Sequence, residues 1–217
     1  LESKHKVIFE KTRELSIAKA EKEKAEFLIF DDGLQEKKIN YDLKIVCFNS
    51  IKLDGNGLII PAGPLRERLN SLKDYDIVFI NGNINKKSKD FVNIIQKINP
   101  DIRIFTGRYV PKNYANLKRK KFFIFSGIGN PHTFSDTLKG IKIKFNGYKK
   151  FPDHYNYQES DLQKLKELAK LKGSELLTTE KDYFRIKKSL RKNINFLKVE
   201  LSIDNEKQFY KYLNQRL

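Results

Sequence analysis

The sequence lacks methionine, has one cysteine in 217 residues, Cys47, and contains no long apolar run free of charged residues. Without such a run we expect no membrane-spanning helix. A single cysteine excludes an internal disulfide framework and suits a reducing compartment. Cys47 lies in a strand-like segment, where we expect a small core residue rather than a nucleophile. Because the missing methionines include an initiator, we expect the chain to be a piece of a longer protein.

Acidic residues are few beside the basic ones: 27 Asp and Glu stand against 44 Lys and Arg, which gives a net charge of +17. A compositional bias would explain this charge, since lysine is spread along the whole chain. Binding to nucleic acid or to an anionic membrane surface would also explain it. The basic segments 118–121 and 187–192 lack the interleaved aromatic residues of single-strand binders, and no nucleic-acid-binding motif occurs. We therefore expect no nucleic-acid partner.

Strand-like and helix-like segments alternate along the chain, which predicts an α/β fold with mostly parallel sheets and helical crossovers. The predicted strands are 27–30, 43–48, 77–80, 102–105, 122–125, 141–145, 176–177 and 193–199. The predicted helices are 12–26, 65–72, 89–98, 131–138, 161–171 and 205–217. The segment 107–116 has no clear helical period, and we interpret it as a connection. The sequence therefore predicts two α/β lobes, residues 1–116 and residues 117–217.

Two carboxylates, Asp31 and Asp32, directly follow the apolar run 27–30 and precede Gly33. Inner strands of parallel sheets are apolar because both of their faces are covered, and ligands bind beyond the carboxyl ends of such strands. An acid in this position helps to hold Mg²⁺ in P-loop phosphoryl-transfer proteins. The alternative is a strand that ends in a common Asp-Asp-Gly turn.

Two further segments combine backbone-shaping residues with groups that suit phosphate. Residues 61–67, PAGPLRE, place Arg66 and Glu67 after a loop rigidified by two prolines and a glycine. An arginine and a carboxylate on a rigid loop suit phosphate and metal binding, although an ordinary helix start gives the same pattern. Residues 127–130, GIGN, can present amides to an anion at a helix N-terminus, or can form a simple tight turn.

Asp153 and His154 form a compact acid–imidazole pair after a predicted strand. Such a pair can supply a general base, although most isolated histidines are not catalytic. Residues 178–182, TTEKD, leave another short strand. The alternative explanation of this cluster is a helix start, with a threonine cap and acids near the positive end of the helix dipole.

In this order the clusters resemble the tetraacyldisaccharide 4'-kinases, the lipid A 4'-kinases of Gram-negative bacteria. The resemblance is carried by DDGLQ (31–35), GNG with PAGPLRE (55–57 and 61–67), GIGNP (127–131), FPDHYNY (151–157) and TTEKD (178–182). It implies a P-loop α/β/α domain joined to a smaller α/β/α lobe. It also implies transfer of the ATP γ-phosphoryl group to the 4'-hydroxyl of a tetraacylated disaccharide 1-phosphate, with Mg²⁺ as cofactor. The enzyme would work peripherally at the anionic, cytoplasmic face of the inner membrane.

The resemblance also implies roles for individual residues. Asp31 and Asp32 would coordinate Mg²⁺ together with Glu67, and Gln35 would lie close to the bound nucleotide. Arg66 would contact the phosphates and count among the catalytic residues. His154 would activate the attacking hydroxyl, and Asp153 would orient its ring. The list of predicted site residues is therefore Asp31, Asp32, Gln35, Arg66, Glu67, Asp153 and His154.

The sequence departs from the family pattern in two places. No G-x-x-x-x-G-K-[ST] phosphate loop precedes Asp31, so we expect this polypeptide alone to bind ATP poorly and to be inactive, although the complete gene product would be a kinase. Tyr155 stands where a second histidine is more usual. Two other functions stay open: a P-loop-type kinase of a different acceptor, and a non-catalytic protein that binds nucleic acid or anionic surfaces.

Overall fold

The structure is a computed structural model, and it describes residues 6–217. It divides the chain into two compact units. The first unit runs to Arg108 and also takes in Ser202–Leu217, while the second spans Tyr109–Leu201. The boundary between the units therefore lies after Arg108, whereas the sequence predicted it after residue 116. The C-terminal segment also returns to the first unit. It does so because apolar residues of the last helix pack against the first sheet.

The elements of the first unit include α1 (Arg13–Lys22), β1 (Ile45–Asn49), a 3₁₀ helix (Leu69–Asp74), β2 (Ile77–Asn81), α2 (Lys86–Ile98) and β3 (Arg103–Pro111). The elements that follow are α3 (Tyr114–Leu117), β4 (Lys121–Ser126), α4 (Pro131–Gly140), β5 (Lys144–Lys150), α5 (Glu159–Leu171), β6 (Glu175–Thr179), α6 (Glu180–Arg185) and a 3₁₀ helix (Lys188–Leu190). The chain ends with β7 (Ile194–Leu197), β8 (Val199–Ile203) and α7 (Glu206–Arg216). None of the helices in this described part is long and apolar enough to cross a membrane.

The sheet of the first unit has the order β1-β2-β3-β8, and its first three strands run parallel. Strand β2 is buried on both faces. Val78 and Ile80 pack with α2, whereas Ile77 and Phe79 pack with Phe209 and its neighbours on α7. Alternate residues of a strand point to opposite faces, so the continuous apolar run of β2 gives the sheet helices on both sides.

The second unit repeats this architecture with a four-stranded parallel sheet of order β5-β4-β6-β7. Strand β4 is its centre. Phe123 and Phe125 face α5, whereas Phe122 and Ile124 face α4. The prediction of an α/β fold with two α/β/α lobes and mostly parallel sheets is therefore confirmed.

The prediction of a buried strand at residues 27–30 is wrong. In the structure this segment has no strand assignment, and Phe27 and Ile29 are 63% and 92% exposed. An apolar run becomes an inner strand only when neighbouring strands accept its backbone hydrogen bonds. In the sheet described for residues 6–217, β1 pairs with β2 alone, and residues 27–30 do not pair with its open edge. β1 is thus an edge strand, and Cys47 on it is exposed rather than part of the core.

Two other predicted segments differ in detail. The connection predicted at 107–116 is partly regular, because β3 continues to Pro111 and α3 follows it. The helix predicted at 65–72 is replaced by the 3₁₀ helix Leu69–Asp74. Residues 58–65 instead close a loop, with Leu65 N–H donating to the Leu58 carbonyl at 3.1 Å.

Candidate functional site

In the first unit, the structure brings together Asp32, Gln35 and Arg66, which we call the acid–arginine cluster. Arg66 Nη1 lies 2.6 and 2.7 Å from the two carboxylate oxygens of Asp32, and 3.4 Å from Gln35 Oε1. Asp32 has a left-handed backbone (φ 56°), and its carbonyl accepts a 2.7 Å hydrogen bond from Arg13 Nη2. Three predicted residues from two separate motifs, DDGLQ and PAGPLRE, thus meet at one place.

The glycine of the acidic motif has a packing role. A Cβ at Gly33 would lie 2.8 Å from Phe30 Cβ and 3.1 Å from the Tyr41 hydroxyl. That hydroxyl donates to the Gly33 carbonyl at 2.7 Å, and the Phe30 and Tyr41 rings meet edge to face. Gly33 is therefore required by close approach, and the turn that presents Asp32 is held by an aromatic pair.

The loop that carries Arg66 is compact, because residues of two sequence motifs pack closely against each other in it. Asn56 Nδ2 donates to the Ala62 carbonyl at 2.8 Å. A Cβ at Gly63 would lie 2.2 Å from Asn56 Oδ1 and 2.3 Å from the Leu58 carbonyl oxygen. GNG and PAGPLRE therefore form one structural unit, which fixes the backbone next to Arg66.

Glu67 is engaged elsewhere, since it accepts a 3.0 Å hydrogen bond from the Tyr75 hydroxyl. Burial, and then the neighbouring Glu67, raises the pKa of Tyr75 to about 12. Across residues 6–217, no group of three or more His, Cys, Asp or Glu side chains could hold a metal ion. The predicted ligands Asp31, Asp32 and Glu67 therefore form no cluster of this kind, and their role in holding Mg²⁺ stays a prediction. Asp32 is paired with Arg66 at the surface, and an exposed pair of this kind can exchange partners.

In the second unit, His154 lies in the turn after β5, with a left-handed backbone (φ 59°) and a side chain that is 70% exposed. The backbone N–H of His154 donates to Asp153 Oδ1 at 2.9 Å and to the Gly127 carbonyl at 3.2 Å. Nε2 lies 3.9 Å from Asp153 Oδ2, and Nδ1 lies 2.9 Å from Arg185 Nη2. The predicted Asp153–His154 pair is thus seated against the glycine turn 127–130.

The buried carboxylate of Asp182 holds the glycine turn that contacts His154. Asp182 is completely buried, and its Oδ2 accepts from the Gly127 N–H at 3.1 Å and from the Thr179 hydroxyl at 2.7 Å. Thr179 caps α6 by accepting from Asp182 N–H at 3.1 Å, so the helix-start explanation of TTEKD holds. Arg185 completes the group, with Nη1 3.0 Å from the Gly127 carbonyl oxygen and 3.4 Å from Asp182 Oδ1. We call Gly127, His154, Asp182 and Arg185 the histidine cluster.

Sequence reasoning missed the supporting role of Asp182 and did not single out Arg185. The available signal was a Thr-x-x-Asp cap directly after a buried strand, with an arginine three residues further on. That spacing places the acid and the arginine on one side of a helix. It does not show that the acid would be buried against a glycine turn 55 residues away in sequence.

The family model described as Tetraacyldisaccharide-1-P 4'-kinase matches residues 1–217. The chain belongs to the tetraacyldisaccharide-1-P 4'-kinase family. The family recognised from the motifs is therefore confirmed, and every predicted site residue lies within the matched range.

Relatives of this kinase family match at moderate identity. The tetraacyldisaccharide 4'-kinase of Pelagibacter ubique is 42% identical over 210 residues, which are 94% of this chain and 66% of the relative. That of Rickettsia akari is 42% identical over 183 residues, 84% of this chain and 54% of the relative. The chain thus spans between about half and two thirds of the length of these family members.

A solved structure shares the fold. LpxK from Aquifex aeolicus, crystallised in complex with ATP, superimposes with a TM-score of 0.58 at 22% identity, covering 85% of this chain and 55% of that one. At this identity the likeness shows the fold alone. It agrees with the α/β architecture expected of the kinase family.

Proposed function

We propose that this protein transfers the γ-phosphoryl group of ATP to the 4'-hydroxyl of a tetraacyldisaccharide 1-phosphate, a step of lipid A biosynthesis. The observation that carries the proposal is the family match over residues 1–217, which includes both clusters. The relatives from Pelagibacter ubique and Rickettsia akari are named for this activity, and the solved neighbour was crystallised with ATP.

Arg66 is proposed to contact the phosphates. Its side chain is 55% exposed and is held on a rigid loop, and its partner Asp32 is a surface carboxylate. A phosphate oxygen competes well for such a guanidinium because charge-assisted hydrogen bonds are strong. Phosphoryl transfer depends mainly on positioning and charge neutralisation, which Arg66, with Gln35 beside it, can supply.

His154 is proposed to take the proton of the acceptor hydroxyl, with Asp153 orienting the ring. Its exposed imidazole is accessible to a substrate, and its backbone is fixed by the contact with Gly127. Proton transfer to a positioned imidazole assists attack by a hydroxyl. Mg²⁺, with Asp31, Asp32 and Glu67 as its predicted ligands, stays part of the proposal, and the roles of Arg66 and His154 are argued without it.

The substrate and its location follow from the same proposal. A tetraacylated substrate resides in a membrane, so we infer peripheral contact with the cytoplasmic face of the inner membrane. The net charge of +17 supports attraction to an anionic bilayer surface. This attraction is electrostatic, and binding to anionic vesicles would weaken as salt is raised.

A chimaera tests the activity directly. Residues of this chain replace the matching 210 residues of the Pelagibacter ubique relative. The chimaera is then assayed for ATP-dependent phosphorylation of tetraacyldisaccharide 1-phosphate. We expect product with phosphate at the 4'-position. A chimaera that melts like its parent protein, yet forms no product, would overturn the proposed function.

Single substitutions in the chimaera test the role of His154. We expect His154→Ala to lower kcat by roughly 10²- to 10⁴-fold with little change in ATP binding, because a general acid–base group contributes about that much. His132→Ala is the matched control and should keep kcat near that of the unsubstituted chimaera. Unchanged turnover in the His154 variant would refute the assigned role.

A further inference from the structure

One side chain, that of Arg185, connects the exposed imidazole of His154 with the interior of the second unit. Arg185 Nη2 lies 2.9 Å from His154 Nδ1, while Nη1 donates to the Gly127 carbonyl at 3.0 Å. Nη1 also lies 3.4 Å from Asp182 Oδ1. The guanidinium thus has one nitrogen on the imidazole and the other on buried acceptors.

The buried end of this chain of contacts is fixed. Asp182 is fully buried, and it is tied to the Gly127 N–H and to the Thr179 hydroxyl. Removing the cationic partner of a buried carboxylate is strongly destabilising, so the free energy of folding favours the Arg185 guanidinium beside Asp182. The position of Arg185 Nη2 against the imidazole is therefore set from inside the unit.

The contact also determines which imidazole nitrogen carries the proton. Arginine has only N–H donors and no acceptor, so the nitrogen that faces it must offer a lone pair. In neutral His154 that nitrogen is Nδ1, and the proton then resides on Nε2. Nε2 is the nitrogen on the side of Asp153, 3.9 Å from Oδ2, where an N–H faces a carboxylate.

We propose that Arg185, anchored by Asp182, is a positioning residue that holds His154 as the Nε2–H tautomer. Nδ1 is then the nitrogen that carries the lone pair, and it accepts the proton of the acceptor hydroxyl when the exposed imidazole turns from Arg185 Nη2 to the substrate. The O–H bond breaks and an Nδ1–H bond forms, while the oxygen keeps the electron pair with which it attacks phosphorus. This assignment of the atom rests on the proposed function, whereas the tautomer itself does not.

The tautomer can be measured in the 217-residue chain without any activity. His5 and His132 are replaced by Gln, so that His154 is the one imidazole left of the three in the sequence. Two-bond ¹H–¹⁵N spectra of the ¹⁵N-labelled ring then report which nitrogen is protonated. We expect the Nε2–H form to exceed the Nδ1–H form about tenfold or more, since hydrogen bonds to charged groups contribute that much.

Removing the guanidinium is the decisive variant. Arg185→Gln keeps an amide that can donate to Gly127 but removes the charge beside Nδ1, and the Nε2–H excess should fall several-fold. Arg191→Ala is the matched control, because Arg191 donates to the carbonyls of Phe184 and Ile186 instead. Thermal melting of each variant verifies that the second unit is folded. If Arg185→Gln does not fold, the ring spectrum of the chain with intact Arg185 decides by itself.

A dominant Nδ1–H form in the chain with intact Arg185, or an unchanged ratio in folded Arg185→Gln, would overturn the inference. In the chimaera, Arg185→Gln should lower kcat while leaving the KM for ATP nearly unchanged, and equal loss in Arg191→Ala would contradict a specific role. The two hypotheses fail separately. An inactive chimaera with the Nε2–H tautomer refutes the function alone, and an active chimaera with the other tautomer refutes the inference alone.

Discussion

In the first unit, Asp32 and Arg66 meet at the surface with side chains that are 60% and 55% exposed, whereas in the second unit Asp182 is fully buried and Arg185 is 21% exposed. Both are aspartate–arginine pairs beside a residue predicted to act on the substrate. Water competes with the first pair and is excluded from the second. The first pair can therefore exchange partners, while the second is part of the fold.

The same substitution at both aspartates should give the largest difference. We expect Asp182→Ala to lower the free energy of unfolding of the second unit by about 3–5 kcal/mol, because it leaves a guanidinium without its buried partner. Asp32→Ala should cost less than about 1 kcal/mol, as is typical of exposed ion pairs. Urea unfolding, monitored by amide hydrogen exchange in each unit, measures both changes in the free energy of unfolding. Similar costs at the two sites would remove the distinction between the clusters.

Gly127 provides a second way to test the buried cluster. A Cβ there would lie 3.0 Å from both the Pro152 carbonyl oxygen and the Tyr157 hydroxyl, so Gly127→Ala should destabilise the second unit by about 1–3 kcal/mol. The control is Gly140→Ala at the end of α4, where a Cβ would meet nothing within 4 Å. Because alanine favours helix, that control should be neutral or slightly stabilising. Equal thermal melting of the two variants would contradict the packing argument.

The stability of the first unit at alkaline pH should depend on the ionisation of Tyr75, which donates a hydrogen bond to Glu67. The pKa of Tyr75 is raised to about 12 in the folded chain, against an ordinary value of 10.0. Between these pH values the unfolded chain releases the tyrosine proton while the folded chain keeps it, so stability falls as pH rises from about 10 to 12. Tyr75→Phe should reduce that slope. Urea midpoints at several pH values measure it, and an unchanged slope would refute the role of Tyr75.

The sequence predicted the sheets well where the residues themselves determine burial. Strands β2 and β4 are continuous apolar runs, and both are central strands with helices on each side. The same rule failed for residues 27–30, because strand formation also requires partners, which an apolar run does not encode. Local composition therefore predicted the inner strands but not the pairing.

The candidate site was predictable to a similar extent. The sequence motifs identified Asp32 and Arg66, and the family resemblance added Gln35; the structure brings these three together. No contact joins Glu67 to them among the described residues, and its carboxylate accepts a hydrogen bond from the Tyr75 hydroxyl. Asp182 could not be recognised as the anchor of His154, since its cap spacing is satisfied within α6 and its contact with Gly127 is long-range.

The smallest expected effect separates charge from hydrogen bonding within the histidine cluster. Among residues 6–217 the buried Tyr157 hydroxyl has no partner of good hydrogen-bond geometry, while burial, and then the charge and proximity of the Asp182 carboxylate, raises the pKa of Tyr157. Removing an unsatisfied buried hydroxyl costs no hydrogen bond, so Tyr157→Phe should change the free energy of unfolding by less than about 1 kcal/mol and should favour the folded state. Tyr148→Phe is the control. Its hydroxyl contacts Ser126 Oγ at 2.6 Å and donates to the Pro131 carbonyl at 2.8 Å, so its loss should destabilise the unit. If Tyr157→Phe is the more destabilising of the two, the Tyr157 hydroxyl has a hydrogen-bond partner. Asp182 would then bond to Tyr157 as well as to Gly127, Thr179 and Arg185.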